Sequence, residues 1–95
     1  MAFYTYIRAS GPYGTVHCGH TDNLAQRIWK HKAKVYRGFT AKYDVTRLVW
    51  YEVHDERSGA FRRERRIKTW NRAWKIRLIE GLNPQWLDLY ETLNQ

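Results

Sequence analysis

Short runs of aromatic and β-branched residues mark the first half of the chain. Residues 3–9 and 46–54 are rich in such side chains, which predicts two strands, the second with the stronger signal. Residues 10–14 carry Gly and Pro turn chemistry, and residues 15–20 have the composition of a returning strand. The pattern therefore predicts an N-terminal hairpin followed, later in the chain, by a third strand.

Apolar residues at helical spacing fill most of the rest. The predicted helices cover residues 22–33, 60–70 and 71–82, with a short docking helix within residues 85–95. Thr21 or Asp22 is expected to cap the first helix, and Asn71 the third, which Gly81 and Asn83-Pro84 should end. The order β-β-α-β-α-α predicts an α+β fold in which helices flank a three-stranded, mainly antiparallel sheet. A chain of 95 residues has room for one domain, taken as residues 1–95.

The charge is strongly positive and unevenly placed. The net charge is +8, and residues 56–77 hold nine basic and two acidic side chains, which is nearly all of the excess. A basic face binds polyanions by releasing their counterions, so DNA or RNA is the expected partner. The alternative is a solvated cationic face with no partner of its own.

The sequence has no pattern typical of a membrane span, a signal peptide or a disulfide. No apolar run approaches the roughly 20 residues that span a bilayer, and the N-terminus has no signal-peptide pattern. One cysteine forms no intrachain disulfide, so no oxidising compartment and no disulfide-linked partner is expected. We expect a cytoplasmic protein without a membrane partner.

Cys18 lies between His17 and His20, which raises the question of a zinc site. Adjacent residues of a strand point to opposite faces, so only Cys18 and His20 share a face. Structural zinc requires four ligands, and nothing in the sequence supplies a second pair. Cys18 is therefore predicted to be a small buried hydrophobe.

The first helix carries an arginine and a histidine one turn apart. On a wheel of about 100° per residue, Arg27 and His31 line up at the edge of the apolar stripe. Such a pair can grip a phosphate and supply a proton. The alternative is a solvated flank that borders the core.

Glu64 falls inside the apolar stripe of the second helix, while Arg62, Arg63 and Arg66 lie on its other side. A carboxylate that faces the interior needs a cation or a metal ion. A single carboxylate suits Mg²⁺, which keeps most of its water ligands. A buried ion pair with one of the arginines is an equal alternative.

Residues 34–43 form a basic and aromatic connection. Lys34, Arg37 and Lys42 alternate there with tyrosine and phenylalanine, a composition that suits contact with a nucleic-acid backbone. An ordinary solvated loop is the alternative. The arginines Arg62, Arg63 and Arg66 of the second helix are predicted to contact the same backbone.

Five segments in register resemble the GIY-YIG nuclease superfamily. They are "FYTYI", "HCGHTDNLAQRIWKH", "GFTAKYDVTRLVWYE", "AFRRERRIKTWNRAWKIRLIE" and "NPQWLDL", which together cover nearly the whole chain. The greatest similarity is to short stand-alone bacterial proteins that consist of the nuclease domain alone. The resemblance implies a metal-dependent DNA endonuclease that uses Mg²⁺ or Mn²⁺ and leaves 5′-phosphate and 3′-hydroxyl products.

The resemblance also implies site residues. Tyr6 takes the place of the first motif tyrosine and Arg27 that of the catalytic helix arginine. His31 matches a frequent active-site histidine, and Glu64 matches the metal-binding glutamate. With one domain to provide specificity, weak sequence preference or a structured DNA substrate is expected.

One motif position departs from the family pattern. His17-Cys18-Gly19 stands where the family has Tyr-Ile-Gly, so His17 replaces the second motif tyrosine. A neutral imidazole accepts a proton near pH 7 more readily than a phenol, which makes His17 the predicted base. The alternative is a catalytically degenerate module that binds nucleic acid without cleaving it.

Overall fold

The computed structural model describes residues 2–34 and 44–94. Its elements are β1 (Phe3–Ala9), β2 (Val16–Thr21), α1 (Leu24–Lys32), β3 (Arg47–His54), α2 (Arg57–Lys68), α3 (Arg72–Leu82) and a closing 3₁₀ helix (Leu89–Asn94). Arg37 and Lys42, two of the predicted nucleic-acid contacts, lie outside the described residues. No helix in the described part of the chain is long and apolar enough to cross a membrane.

The sheet has the strand order β2-β1-β3, and both pairings are antiparallel. The predicted α+β fold with a three-stranded antiparallel sheet is therefore confirmed. β1 is the central strand, so both edges of its backbone are paired, and helices pack on both faces of the sheet beside it. β2 is an edge strand, and one side of its backbone has no partner strand within the described residues.

Helix boundaries differ from the prediction at two N-termini. Asn23 caps α1 by accepting from Gln26 N at 3.1 Å, and Thr21 Oγ1 accepts from Asn23 N instead of capping the helix itself. α2 begins at Arg57, before the predicted start, because its first turn is polar and exposed and gives no apolar signal. The predicted Asn71 cap of α3 is confirmed: Asn71 Oδ1 accepts from Trp74 N at 2.9 Å.

Alternate residues of the sheet enter two separate cores. On one face, Ile7, Cys18 and Trp50 pack with Ile67 of α2 and Ile79 of α3. This confirms the prediction that Cys18 is a core residue, and burial raises the pKa of its thiol to about 12. On the other face, a second core lies beneath α1 and the closing helix, with these buried members: Tyr6, Leu24, Ile28 and Leu48.

The segment after α3 contributes to both cores. Trp86 is buried in the first, while Leu89 packs against the second. The predicted docking helix is shorter than expected and is a 3₁₀ helix. It begins late because Asn83 Oδ1 accepts from Leu87 N, which forms a turn before the helix. Asp88 then anchors it to the sheet and α1: its carboxylate accepts from Leu48 N at 3.2 Å and pairs with Lys32.

Candidate active site

A cleft of about 530 Å³ runs along the edge strand β2, between α1 on one face of the sheet and α2 on the other. It forms there because both helices supply side chains along the same edge strand. The structure brings the following five sequence-predicted residues together in its lining: Tyr6, His17, Arg27, His31 and Glu64.

Tyr6 packs directly on its cross-strand neighbour Gly19. The two residues are in register, and a Cβ built on Gly19 would lie 2.7 Å from Tyr6 Oη and 2.8 Å from Cζ. Burial raises the pKa of Tyr6, which is 2% exposed, so its phenol stays protonated near neutral pH. Glycine at position 19 is thus required by the place of the tyrosine ring.

Arg8 was not predicted as a site residue, yet it joins two that were. Its Nη2 donates to His17 Nδ1 and its Nη1 donates to His31 Nδ1, each at 2.8 Å. Arg8 is 2% exposed and lines the cleft two residues after Tyr6, on the same face of β1. The signal in the sequence is this strand alternation, combined with a hairpin register that places Arg8 opposite His17.

Both histidines are neutral, and the contact with Arg8 determines which ring nitrogen carries the proton. A guanidinium is a donor only, so each Nδ1 accepts and each ring carries its proton on Nε2. Burial, and next the charge of Arg8, lower the pKa of His31 to about 4 and lower the pKa of His17 as well. Near pH 7 neither ring is an imidazolium.

This geometry does not support the predicted role of His17 as the base. A neutral imidazole has one basic nitrogen, and in His17 that nitrogen already accepts from Arg8. The other nitrogen carries a proton and can only donate. Sequence reasoning missed this because it placed no donor opposite His17.

Glu64 is held by a partner from β2. It is 7% exposed; its Oε1 lies 3.1 Å from His20 Nδ1, and its Oε2 lies 3.6 Å from Lys68 Nζ. The predicted alternative of a buried ion pair with an arginine is therefore replaced by contacts with a histidine and a lysine. His20 was considered only as a zinc ligand, although strand alternation places it on the face that α2 covers.

The donor set around Glu64 suits a hydrated ion. Across the described residues, no group of three or more His, Cys, Asp or Glu side chains is placed to hold a metal. A structural zinc site therefore has no support there, since zinc takes four protein ligands. Mg²⁺ and Mn²⁺ prefer oxygen, and Mg²⁺ binds through one or two carboxylates, water and phosphate oxygens. Glu64, in an open cleft, fits such an ion.

Cations outnumber anions in the lining of this cleft. Arg57 and Asp22 neutralise each other at 3.1 Å. The other charged side chains that line it are Arg8, Arg27, Lys68 and Glu64. The balance of three cations to one carboxylate attracts a phosphodiester.

The predicted nucleic-acid contacts of α2 divide into two kinds. Arg62 and Arg66 are exposed and line a groove of about 480 Å³ on the outer face of the helix. Arg63 also lines it, but its guanidinium packs 5.8 Å from the Trp50 ring centre and 5.4 Å from that of Trp70. Arg63 is therefore partly a structural residue.

Of the predicted basic loop, only its first residue is described. Lys34 is exposed, and its Nζ lies 3.5 Å from Asp44 Oδ1. A surface pair of this kind contributes little to stability, so Lys34 can exchange its partner for a phosphate.

Comparison with known proteins gives consistent matches. The family model for the GIY-YIG catalytic domain matches residues 2–77. UPF0213 protein SH2523 of Staphylococcus haemolyticus is 40% identical over 70 residues, which cover 70% of this chain and 80% of that protein. A UPF0213 protein of Staphylococcus aureus strain Mu3 is 37% identical over 71 residues, 70% of this chain and 82% of the relative.

A solved structure shares the fold. The solution NMR structure of UPF0213 protein BH0048 from Bacillus halodurans matches with a TM-score of 0.57 and 25% identity. The match covers 93% of each chain. At this coverage the match extends over more of the chain than residues 2–77, the part matched by the family model.

Proposed function

Because this chain belongs to the GIY-YIG catalytic domain family, we propose that it is a divalent-metal-dependent endonuclease that hydrolyses phosphodiester bonds in DNA. The observation that carries the proposal is the meeting of Glu64, Arg27 and Tyr6 in one cationic cleft. The cleft combines an oxygen ligand for a metal, a cation for the transition state and a hydroxyl for the attacking water. These are the parts that metal-assisted phosphodiester hydrolysis needs.

Glu64 would hold Mg²⁺ or Mn²⁺. When bound, such an ion supplies Lewis-acid stabilisation of the phosphate and of the leaving 3′ oxygen. His20 donates to Glu64 Oε1 and so keeps the carboxylate directed into the cleft. Lys68 Nζ, at 3.6 Å from Oε2, balances part of the carboxylate charge.

The other lining residues act on the substrate. Arg27 stabilises the charge that develops on the phosphate, and Tyr6 orients the attacking water through its hydroxyl. This water loses its proton to solvent, and the leaving 3′ oxygen takes up a proton from solvent. His17 donates a hydrogen bond from Nε2 to a non-bridging oxygen. His31 accepts from Arg8 Nη1 and so helps to hold Arg8, and through it His17, in place from α1.

The nucleic acid would be placed by cations outside the cleft. Arg62 and Arg66 are the exposed candidates on α2, with Arg63 beside them and Lys34 at the end of α1. Arg37 and Lys42 belong to the same proposed set. Contacts with phosphates carry no sequence information, so we propose weak sequence preference or recognition of DNA structure. DNA is the primary substrate and RNA the alternative.

Nicking of supercoiled plasmid in Mg²⁺ or Mn²⁺ tests the proposal. Glu64→Gln should lower the rate about 10²–10³-fold, because the amide cannot replace the carboxylate as a metal ligand. Arg27→Ala should lower it to a similar degree through loss of transition-state charge. Glu56→Gln is the matched control, since Glu56 is exposed at the start of α2 and outside the cleft, and it should leave the rate within about twofold.

Two results would contradict the assignment in different ways. Cleavage that survives both Glu64→Gln and Arg27→Ala would show that the site lies elsewhere. Salt-sensitive DNA binding without cleavage in any divalent metal, unchanged by Glu64→Gln, would instead identify a binding module on this fold.

A further inference from the structure

We propose that Arg8 is a positioning residue that holds His17 in the tautomer with its proton on Nε2, so that His17 serves as a hydrogen-bond donor to a phosphate oxygen. The inference rests on the proposed function in one respect, namely that the anion is a phosphodiester. The tautomer itself is a property of the chain, independent of any substrate.

The direction of the hydrogen bond follows from the chemistry of the donor. Arg8 Nη2 lies 2.8 Å from His17 Nδ1, and a guanidinium has no lone pair to offer. His17 must therefore accept at Nδ1, and a neutral ring that accepts at one nitrogen carries its proton on the other. The second branch of the fork holds His31 at the same distance, which restrains Arg8 from two sides.

The site around Arg8 also lacks a counter-charge. Within the part of the chain that the structure describes, Arg8 forms no ion pair with a carboxylate, although it is 2% exposed. Its Nε is buried and has no hydrogen-bond partner among the described residues. A buried cation whose hydrogen bonds go to two neutral rings and, at 3.5 Å, to Val45 O is costly to desolvate, and an anion in the adjoining cleft would offset part of that cost.

His17 is placed where such an anion would lie. It is half-buried, lines the cleft, and lies directly opposite Arg8 on the neighbouring strand. The charged groups around it are Arg8 from β1, Glu64 and Lys68 from α2 and Lys75 from α3, three cations to one anion. An N–H donor in a positive cleft selects a phosphate oxygen rather than a cation.

Arg8 could instead have a purely structural role, in which it only ties β1 to β2 and α1. Substitutions at position 17 distinguish this role from the positioning of a donor. Glutamine can accept from Arg8 with its amide oxygen and donate with its amide nitrogen, as the Nε2–H tautomer does. It cannot act as a base. His17→Gln therefore keeps a donor at position 17 and removes any base. Arg8→Met keeps an apolar side chain of similar length at position 8 and removes the hydrogen bonds to the histidines.

The direct experiment is long-range ¹H–¹⁵N NMR of the histidine side chains at pH 7.5, without metal or DNA. The wild type should show His17 with an unprotonated Nδ1 and a protonated Nε2. Arg8→Met should lose this single tautomer. Arg47→Met is the control, because Arg47 donates to Trp86 O away from the cleft, and it should keep the wild-type pattern.

Two further measurements test the donor role. Titration with inorganic phosphate, against sodium chloride at equal ionic strength, should shift the His17 ring signals and saturate. The affinity should fall more than fivefold in His17→Phe and in Arg8→Met. Plasmid cleavage by His17→Gln should stay within about tenfold of the wild type, whereas His17→Phe should lose about 10²-fold, the typical effect of one transition-state donor.

The outcomes distinguish this inference from the proposed function. A proton on His17 Nδ1 in the wild type overturns the inference whatever the cleavage activity is. Loss of cleavage in His17→Gln equal to that in His17→Phe overturns the donor role, while sensitivity to Glu64→Gln upholds the nuclease. If the wild type does not cleave DNA, the tautomer and phosphate titration still decide the role of Arg8. If Arg8→Met does not fold, the wild-type spectrum and the position 17 variants decide it.

Discussion

Among single residues, Gly19 is held to glycine by its contact with Tyr6. A Cβ at this position would lie within 2.8 Å of two atoms of the Tyr6 ring, and Tyr6 is itself buried against α1. Gly19→Ala should lower the free energy of unfolding by about 1–3 kcal/mol, because a packed ring must move. It should also reduce cleavage, since the Tyr6 hydroxyl leaves its position in the cleft.

Urea unfolding and plasmid nicking measure the two effects. Gly11→Ala is the matched control: no atom lies within 4 Å of its added Cβ, and the change should stay within about 0.5 kcal/mol. A Gly19→Ala protein as stable and active as the wild type would show that the tyrosine ring does not need this contact.

His17 shows how the role of one residue depends on its neighbours. Its identity and its place in the motif were visible in the sequence, and so was the prediction that it is neutral, with which its lowered pKa agrees. Which of its nitrogens is basic was not visible. The answer depends on a hydrogen bond from Arg8, a residue nine positions away on the paired strand.

At the level of elements, neighbouring arginines of α2 have different surroundings. Arg62 is exposed, whereas Arg63 packs against Trp50 and Trp70 and lies 3.2 Å from Glu52 Oε1 through its Nε. A helical wheel placed both on the basic side. The difference arises because residue 63 borders the sheet, where β3 supplies Trp50 and Glu52.

The two arginines should therefore respond differently to alanine. Arg63→Ala should lower the free energy of unfolding by about 1–2 kcal/mol through lost cation–π and packing contacts. Arg62→Ala should change it by less than about 0.5 kcal/mol and reduce the salt dependence of DNA binding by about one phosphate contact. Urea unfolding and fluorescence anisotropy with a labelled duplex in EDTA check both. Equal destabilisation by the two variants would contradict the division.

The cleft is formed by several elements together, and no single element forms it alone. Arg27 and His31 lie on α1, Tyr6 on β1, and Glu64 on α2. They meet because β2 is an edge strand, so helices on opposite faces of the sheet supply side chains to the same border. Strand order is a long-range property, which periodicity along the chain does not specify.

For the whole molecule, the buried neutral histidines make stability depend on pH. The pKa of His31 is lowered to about 4 from 6.5, chiefly by burial and by Arg8, with Arg27 and His17 also facing it. The unfolded chain thus binds more protons than the folded protein between these values. The contribution is complete above about pH 6.5 and is lost as the pH falls toward 4.

Urea unfolding at pH 7.5 and pH 4.5 measures this dependence. The His31 contribution should lower the free energy of unfolding by about 2–3 kcal/mol at the lower pH. His31→Gln keeps an acceptor for Arg8 but cannot titrate, so its pH dependence should be smaller by that amount. Equal pH dependence in the two proteins would show that His31 is not held neutral in the fold.

Much of this protein was accessible from local pattern. Strand and helix periods predicted the elements and the α+β class, because side-chain direction repeats within each element. The usual burial of a free cysteine predicted that Cys18 lies in the core, and Tyr6, Arg27, His31 and Glu64 were predicted as site residues before the fold was known. These predictions depend only on residues close together in the sequence or on the order of the family motifs along the chain.

Tertiary structure decided the rest. The hairpin register brought Arg8 to His17, the packing of α1 brought it to His31, the packing of α2 brought His20 to Glu64, and Arg63 packs on Trp50 of β3 instead of facing solvent. Each of these contacts joins residues distant in sequence or on separate elements. Protonation, tautomer and charge pairing depend on distances of a few ångströms across the fold, and one-dimensional spacing does not encode such distances.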